Sequence, residues 1–258
     1  MTFGRALLGA LVLVVGGCAA AAPAPVDQVE QLRPEVLAEL PHDPDAFTQG
    51  LEFAPDGALY EGTGRAGRSQ LRELDPATGE VLRSVPLPGE LFGEGITVVD
   101  DRIWQLTWTD GVALEWDRAG FTLRREVPIE GEGWGLCRDG DRLVRSDGTD
   151  RLRFHDPDTF AETGSVQVTL HGEPVTELNE LECVDGQVWA NVWQTDRIVR
   201  IDPGDGRVTA EVDAAGLLDA DRRADTDVLN GIAAAGDGEY LLTGKLWPVT
   251  FRVRFTPA

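Results

Sequence analysis

Gln49-Gly50-Leu51-Glu52-Phe53-Ala54-Pro55-Asp56-Gly57-Ala58-Leu59-Tyr60 contains the unit from which most of the chain is built. Two short apolar runs flank an Asp-Gly pair, the composition of a tight β-hairpin, because Asp-Gly tolerates the positive φ such a turn needs. Four more copies stand in register. They are Glu94-Gly95-Ile96 leading to Asp100-Asp101 and Ile103-Trp104, and Trp134-Gly135-Leu136 leading to Asp139-Gly140 and Leu143-Val144. The others are Asn179-Glu180-Leu181 leading to Asp185-Gly186 and Val188-Trp189, and Asn230-Gly231-Ile232 leading to Asp237-Gly238 and Tyr240-Leu241. The period is roughly 45 residues, the range of repeat architectures.

A second strand pair follows the hairpin. Leu71 to Leu74, Asp75-Pro76-Ala77-Thr78-Gly79 and Glu80 to Leu87 form the clearest example. Val199 to Ile201, Asp202-Pro203-Gly204-Asp205-Gly206 and Arg207 to Val212 repeat it, and Arg153-Phe154-His155-Asp156-Pro157 opens a third. Asp-Pro presets a turn and the following Gly reverses the chain. Four antiparallel strands per period predict an all-β, five-bladed β-propeller. The last unit supplies only three strands, Gly231 to Gly244 and Thr250 to Phe255. Val36 to Pro41 at the N-terminus is expected to close that blade and remove its exposed edge. A short helical turn is allowed near Ala215 to Arg222.

The 258 residues carry 45 acidic and 23 basic side chains, a formal charge of −22. A polyanion repels phosphate backbones and anionic lipids, which argues against nucleic acid or an anionic membrane surface as partner. Residues 1–18 read as a processing signal: Arg5 precedes the apolar run Ala6 to Val15, too short for a permanent span. The run ends in Val15-Gly16-Gly17-Cys18, similar to the lipobox of bacterial lipoproteins, so Cys18 is the expected lipidation site and the protein is expected to work outside the cytoplasm. Residues 19–33, rich in Ala and Pro, read as a tether, and 34–258 as the folded domain. Cys137 and Cys183 lie one position apart in the repeat register. Alternate strand residues point to opposite faces, so the register argues against a disulfide between them.

The repeat also isolates what the fold leaves unexplained. The position before the shared Gly-Leu/Ile is Gln49, Glu94, Trp134, Asn179 and Asn230. Equivalent positions should ring one end of a central channel, and a structural ring would repeat one residue type. The second strands end nearby, at Glu61, Trp104 to Trp108, Asp147, Asn191 to Trp193, and Thr243-Gly244-Lys245. Trp104 and Trp189 hold the apolar position and read as core, whereas Trp108, Trp134 and Trp193 fall outside that pattern and suit a pocket wall. Lys245 stands out because the basic charge is almost entirely arginine.

These segments in order resemble the plant and bacterial type of glutaminyl-peptide cyclotransferase. They are Phe47-Thr48-Gln49-Gly50-Leu51, Phe92-Gly93-Glu94-Gly95-Ile96, Leu106-Thr107-Trp108, Gly133-Trp134-Gly135-Leu136, Leu178-Asn179-Glu180-Leu181-Glu182, Val188-Trp189-Ala190-Asn191, Leu229-Asn230-Gly231-Ile232-Ala233 and Leu242-Thr243-Gly244-Lys245-Leu246-Trp247. The resemblance spans residues 34 to 258. It implies a five-bladed propeller that converts N-terminal glutaminyl residues of peptides or proteins to pyroglutamyl residues with loss of ammonia, without cofactor or metal. His42, His155 and His171 lack zinc-ligand spacing. By the resemblance, Glu94 is the proton shuttle, and Lys245 and Asn179 do the remaining polar work, either of them meeting the oxyanion. Phe47, Gln49, Phe92, Trp108, Trp134 and Trp193 form the substrate pocket. A monomer touching the membrane only through its lipid anchor is expected.

Three other readings compete. A non-catalytic binding propeller has no need of Glu94, Asn179 and Lys245 at one channel mouth. A propeller hydrolase or lactonase would hold a divalent cation with several carboxylates, and the ring has one acid at the inner position, although Glu61, Asp147 and Glu180 lie near. An envelope scaffold suits the acidic surface and the tether but leaves the aromatic channel unexplained.

Overall fold

The computed structural model describes residues 1–2 and 29–258. The signal segment, the lipobox-like Cys18 and most of the tether therefore lie outside the described residues. Strand β1, Glu30–Pro41, begins inside the stretch read as tether. The first unit is β2 Thr48–Phe53, β3 Leu59–Thr63, β4 Gln70–Leu74 and β5 Val81–Pro86. The second is β6 Gly93–Val99, β7 Arg102–Thr107, β8 Val112–Asp117 and β9 Thr122–Pro128, and the third β10 Leu136–Asp139, β11 Arg142–Arg145, β12 Arg151–His155 and β13 Glu162–Gln167. A small ribbon follows, β14 Thr169–Leu170 with β15 Glu173–Pro174. The fourth unit is β16 Leu178–Val184, β17 Gln187–Val192, β18 Arg197–Ile201 and β19 Val208–Asp213; the last strands are β20 Leu229–Gly236, β21 Glu239–Gly244 and β22 Val249–Pro257. The helical turn is a single 3₁₀ turn, Ala220–Arg222.

The turns form for the reasons the sequence suggests. Val184 pairs with Gln187 around Asp185 and Gly186, with φ of 53° and 71°, the double positive φ of a type I′ turn, whose twist matches that of the strands. In the Asp-Pro turns the Asp75 carboxylate accepts from the Ala77 and Thr78 N–H groups, both at 2.9 Å. Asp156 does the same for Asp158 and Thr159.

The all-β class stands, but five equal four-stranded blades do not form, and the propeller expectation is corrected accordingly. Hydrogen bonding divides the strands into one eight-stranded sheet, three four-stranded sheets and the two-stranded ribbon. The eight-stranded sheet runs β16-β17-β18-β19-β1-β22-β21-β20. Strand β1 is the physical cause. It pairs antiparallel with β22, from Leu32 opposite Pro257 to Pro41 opposite Val249, as the missing strand was expected to do. Its first residues also pair in parallel with β19, Glu30 opposite Ala210 through Leu32 opposite Val212, and this fuses the fourth and fifth units into one sheet.

The first strands β2, β6, β10, β16 and β20 contact one another in a closed cycle. The repeated glycine permits this approach. A Cβ on Gly95 would lie 2.6 Å from the Trp134 carbonyl oxygen, and one on Gly135 2.0 Å from that of Asn179. Glu180 replaces the glycine in the fourth unit. Its buried carboxylate accepts from the Leu51 N–H at 3.2 Å and the Ile232 N–H at 2.8 Å, joining three units at the centre.

Hydrophobic packing lies between successive units. Ile96, Ile103 and Leu114 pack with Tyr60 and Leu71, and Trp104 with Leu136 and Phe160. Trp189 joins β20–β22 through Tyr240 and Leu242, so Trp104 and Trp189 are core, as expected. This stacking explains why Cys137 and Cys183 form a disulfide, with Cα atoms 5.4 Å apart, against the register argument. Neighbouring sheets meet through opposite faces of their equivalent strands, so cysteines one position apart in the repeat face each other across the interface. Cys137 and Cys183 both lie in the apolar cluster between the third and fourth units.

Candidate active site

The first strands begin, and the second strands end, around one cavity of about 200 Å³. Phe47, Gln49, Phe92, Glu94, Trp108, Trp134, Asn179, Trp193 and Lys245 all line it, so every catalytic and pocket residue expected from the sequence reaches one place. Asp227, just before β20, completes the lining.

Backbone hydrogen bonds within and between units position the walls. The Trp108 N–H donates to Phe92 O at 3.0 Å, and Trp108 O accepts from the Gly133 N–H at 2.9 Å. Trp193 N–H donates to Glu177 O at 2.8 Å. The rings meet edge to face, Phe47 with Phe92 at 6.2 Å, Phe92 with Trp108 at 5.6 Å, and Trp134 with Trp193 at 5.5 Å. Trp108 is 42% exposed and forms the rim.

Glu94 sits on the floor, 4% exposed. The Gln49 Nε2 donates to its Oε1 at 2.9 Å, and Asn230 fixes the orientation of Gln49. Asn230 Nδ2 donates to Thr48 O at 3.0 Å and to Gln49 Oε1 at 3.3 Å. Because Thr48 O can only accept, Asn230 must present its nitrogen, which turns the Gln49 oxygen towards Asn230 and its N–H groups towards Glu94. Asn230, placed on the ring by the repeat, therefore stands behind the pocket rather than on its wall. Burial pushes the Glu94 carboxyl well above the usual carboxylate range; the Lys245 charge opposes this and the Glu132 charge adds to it.

Lys245, the one lysine in the sequence, follows β21 and is 5% exposed. Its Nζ lies 5.0 Å from the Phe47 ring centroid. Burial pulls its pKa down, against the charges of Glu94 and Asp227. The Asp227 N–H donates to Lys245 O at 2.8 Å and the Lys245 N–H to Val228 O at 2.9 Å, clamping this segment. Asn179 is 3% exposed, and its Oδ1 is buried with no partner among the described residues. An orphaned buried acceptor in a pocket is costly unless a ligand supplies a donor.

The other flagged polar groups have structural work. Glu61 binds His42 Nε2 at 3.0 Å and accepts from Thr48 Oγ1 at 2.7 Å. Asn191 Oδ1 accepts from the Gly231 N–H at 3.0 Å, and Asp147 pairs with Arg153 at 2.7 Å. No group of three or more His, Cys, Asp or Glu side chains among the described residues is placed to hold a metal ion.

Two neighbours of the pocket escaped the sequence reading, Asp227 and Glu132. Glu132 Oε2 accepts from the indole N–H of both Trp108, at 2.6 Å, and Trp134, at 2.8 Å. The repeat did carry a signal for it, since Glu132 stands two residues before Trp134 as Phe47 does before Gln49 and Phe92 before Glu94.

Known proteins share this sequence and fold. The chain is 41% identical over 232 residues to the glutaminyl-peptide cyclotransferase of Arabidopsis thaliana, covering 87% of this chain and 72% of that protein. It superposes on the crystal structure of Myxococcus xanthus glutaminyl cyclase with a TM-score of 0.80 at 39% identity, covering 90% of this chain and all of that one. The glutamine cyclotransferase family model matches residues 9–255, and the chain belongs to that family.

Proposed function

We infer that the chain is a glutaminyl-peptide cyclotransferase, which closes the N-terminal glutaminyl residue of a peptide or protein into a pyroglutamyl residue and releases ammonia. The observation that carries the reading is the buried Glu94 carboxyl beside Lys245 on the floor of an aromatic pocket, in a chain with this family membership.

The α-amine of the substrate attacks the carbon of its own side-chain carboxamide. As the N–C bond forms, the amine gives a proton to Glu94 and the carbonyl oxygen takes on negative charge. Glu94 then passes that proton to the amide nitrogen, the C–N bond breaks and ammonia leaves. A carboxyl group raised by burial suits both steps, being a stronger base than an exposed glutamate and still an acid when protonated. Gln49 occupies Oε1, which leaves Oε2 for the shuttle. Lys245 is the donor for the oxyanion, because its ammonium makes no hydrogen bond among the described residues and sits in a low-dielectric wall. The unpartnered Asn179 Oδ1 receives an N–H of the substrate. Phe47, Phe92, Trp108, Trp134 and Trp193 hold the side chain folded back on the amine, where proximity lowers the barrier.

Purified protein incubated with a Gln-initiated dipeptide should release one ammonia per pyroglutamyl product, unchanged by chelator. Folded protein that releases none sinks the reading, and loss of activity in chelator sinks the metal-free course. We further propose that the protein is exported and tethered through Cys18, as a monomer. The Val15-Gly16-Gly17-Cys18 segment supports this, as does the Cys137–Cys183 disulfide, a bond characteristic of oxidising compartments. Cys18→Ser should move the protein from the membrane fraction to the soluble one.

A further inference from the structure

Glu132 does not line the pocket, yet two of the pocket's walls end on it. The indole N–H groups of Trp108 and Trp134 both donate to the same oxygen, Oε2. An exposed indole such as Trp108 keeps one rotamer only if something holds its polar edge, and Trp108 is 42% exposed. Trp134 in turn meets Trp193 edge to face at 5.5 Å, so the anchor also bears on the third tryptophan.

The segment that presents Glu132 is itself fixed. Arg145, 1% exposed, directs its guanidinium at this loop, Nη1 donating to Glu130 O at 3.1 Å and to Glu132 O at 3.2 Å. Its Nη2 donates to Glu130 O at 3.1 Å. The nearest carboxylate, Glu162, stands 4.0 Å away. The next N–H, that of Gly133, donates to Trp108 O. Glu132 is thus held through its own carbonyl on one side and its neighbour's N–H on the other, with its carboxylate between two indoles.

We propose that Glu132 is a positioning residue for the cyclisation, fixing the aromatic pocket through the indoles of Trp108 and Trp134 while placing a negative charge near Glu94. The two roles need different chemistry. Holding the indoles requires an acceptor of the right reach, which a glutamine carbonyl also supplies. Biasing Glu94 requires the charge, which glutamine lacks. The charged groups that act on Glu94 are Lys245, which favours its ionised form, and Glu132, which disfavours it.

The proposal rests on the cyclisation reading, and the test separates the two. The experiment compares wild type with E132Q, E132A and E132D on one Gln-initiated dipeptide, with pH profiles and tryptophan emission. E132Q should keep KM within about threefold and keep the emission spectrum, while the acid limb of kcat moves to lower pH. The substrate amine is common to all variants, so that difference belongs to the enzyme. E132A should raise KM about tenfold with a smaller change in kcat, and shift the emission to the red as the indoles loosen. E132D, too short to reach both indoles, should resemble E132A in KM. Wild-type KM, emission and pH profile in folded E132A would overturn the proposal, as would E132Q behaving like E132A in KM and emission. If E132A does not fold, the E132Q profile and the E132D KM decide it. Wild-type protein that releases no ammonia refutes the cyclisation reading instead, and the emission comparison still tests the anchor.

Discussion

Burial with one ammonium and one amide for company gives Glu94 its acid-base character, and the same burial makes it a strained resident of the fold. Its pKa is raised in the folded chain, so the native state holds a proton that the unfolded state releases, and stability falls as pH rises from the ordinary glutamate range through the raised value. Glu94→Gln removes that liability together with the shuttle. Its turnover should drop about 10²–10⁴-fold, its melting temperature should match wild type near pH 4 and exceed it near pH 8, and thermal scans at the two pH values check this. Residual turnover near wild type would remove Glu94 from the shuttle role. At this scale the sequence was highly legible, because Gln49, Glu94, Trp134 and Asn179 occupy one repeated position with four different chemistries. Asp227 and Glu132 were not: Asp227 stands outside the repeated positions, and Glu132 holds the position of Phe47 and Phe92 with a carboxylate in place of their aromatic ring. Asp227 reaches the pocket from the segment before β20, and Glu132 acts through indoles that only the folded chain brings together.

Among the elements, β16 differs from its equivalents by carrying Glu180 where β2 and β6 carry the close-approach glycines Gly50 and Gly95, Gly135 stands just before β10, and β20 carries Gly231. The strand trades that contact for a carboxylate that caps the Leu51 and Ile232 N–H groups. Glu180→Ala orphans both, at about 1–3 kcal/mol each, and should lower the urea midpoint markedly; a midpoint equal to wild type would show that water satisfies those groups. Turn chemistry made the hairpins readable, since Asp-Gly and Asp-Pro name their turns locally. Strand partners across sheets are not local information. The parallel pairing of Glu30–Leu32 with β19 has no turn to announce it, and the Cys137–Cys183 contact depends on which faces of two sheets meet.

For the whole molecule, the buried ionisable groups mostly act in one direction. His42 places both ring nitrogens against acceptors, Trp247 O at 2.7 Å and Glu61 at 3.0 Å, and its pKa is raised on balance, the Glu61 charge and these hydrogen bonds outweighing desolvation. A raised histidine stabilises below its ordinary value, and that stabilisation is lost as pH rises through the folded value. Glu52 is pushed up to about 7 by burial, and Glu180 and Glu182 are raised by burial as well. Each of them costs stability as pH rises above the ordinary glutamate range. Asp43, Asp147 and Glu61 are lowered and fail only on the acid side. With a formal charge of −22 adding self-repulsion at neutral pH, the melting temperature should peak near pH 5 and decline towards pH 8, with added salt restoring part of the loss; a flat profile from pH 5 to 8 would contradict this. Strand β1 finally imposes an order in time. Among the described strands it is synthesised first, yet its antiparallel partner β22 is synthesised last. The longest sheet therefore cannot close until every strand between them has been made, and folding must join segments far apart in sequence, the kind of contact that slows the search for the native state.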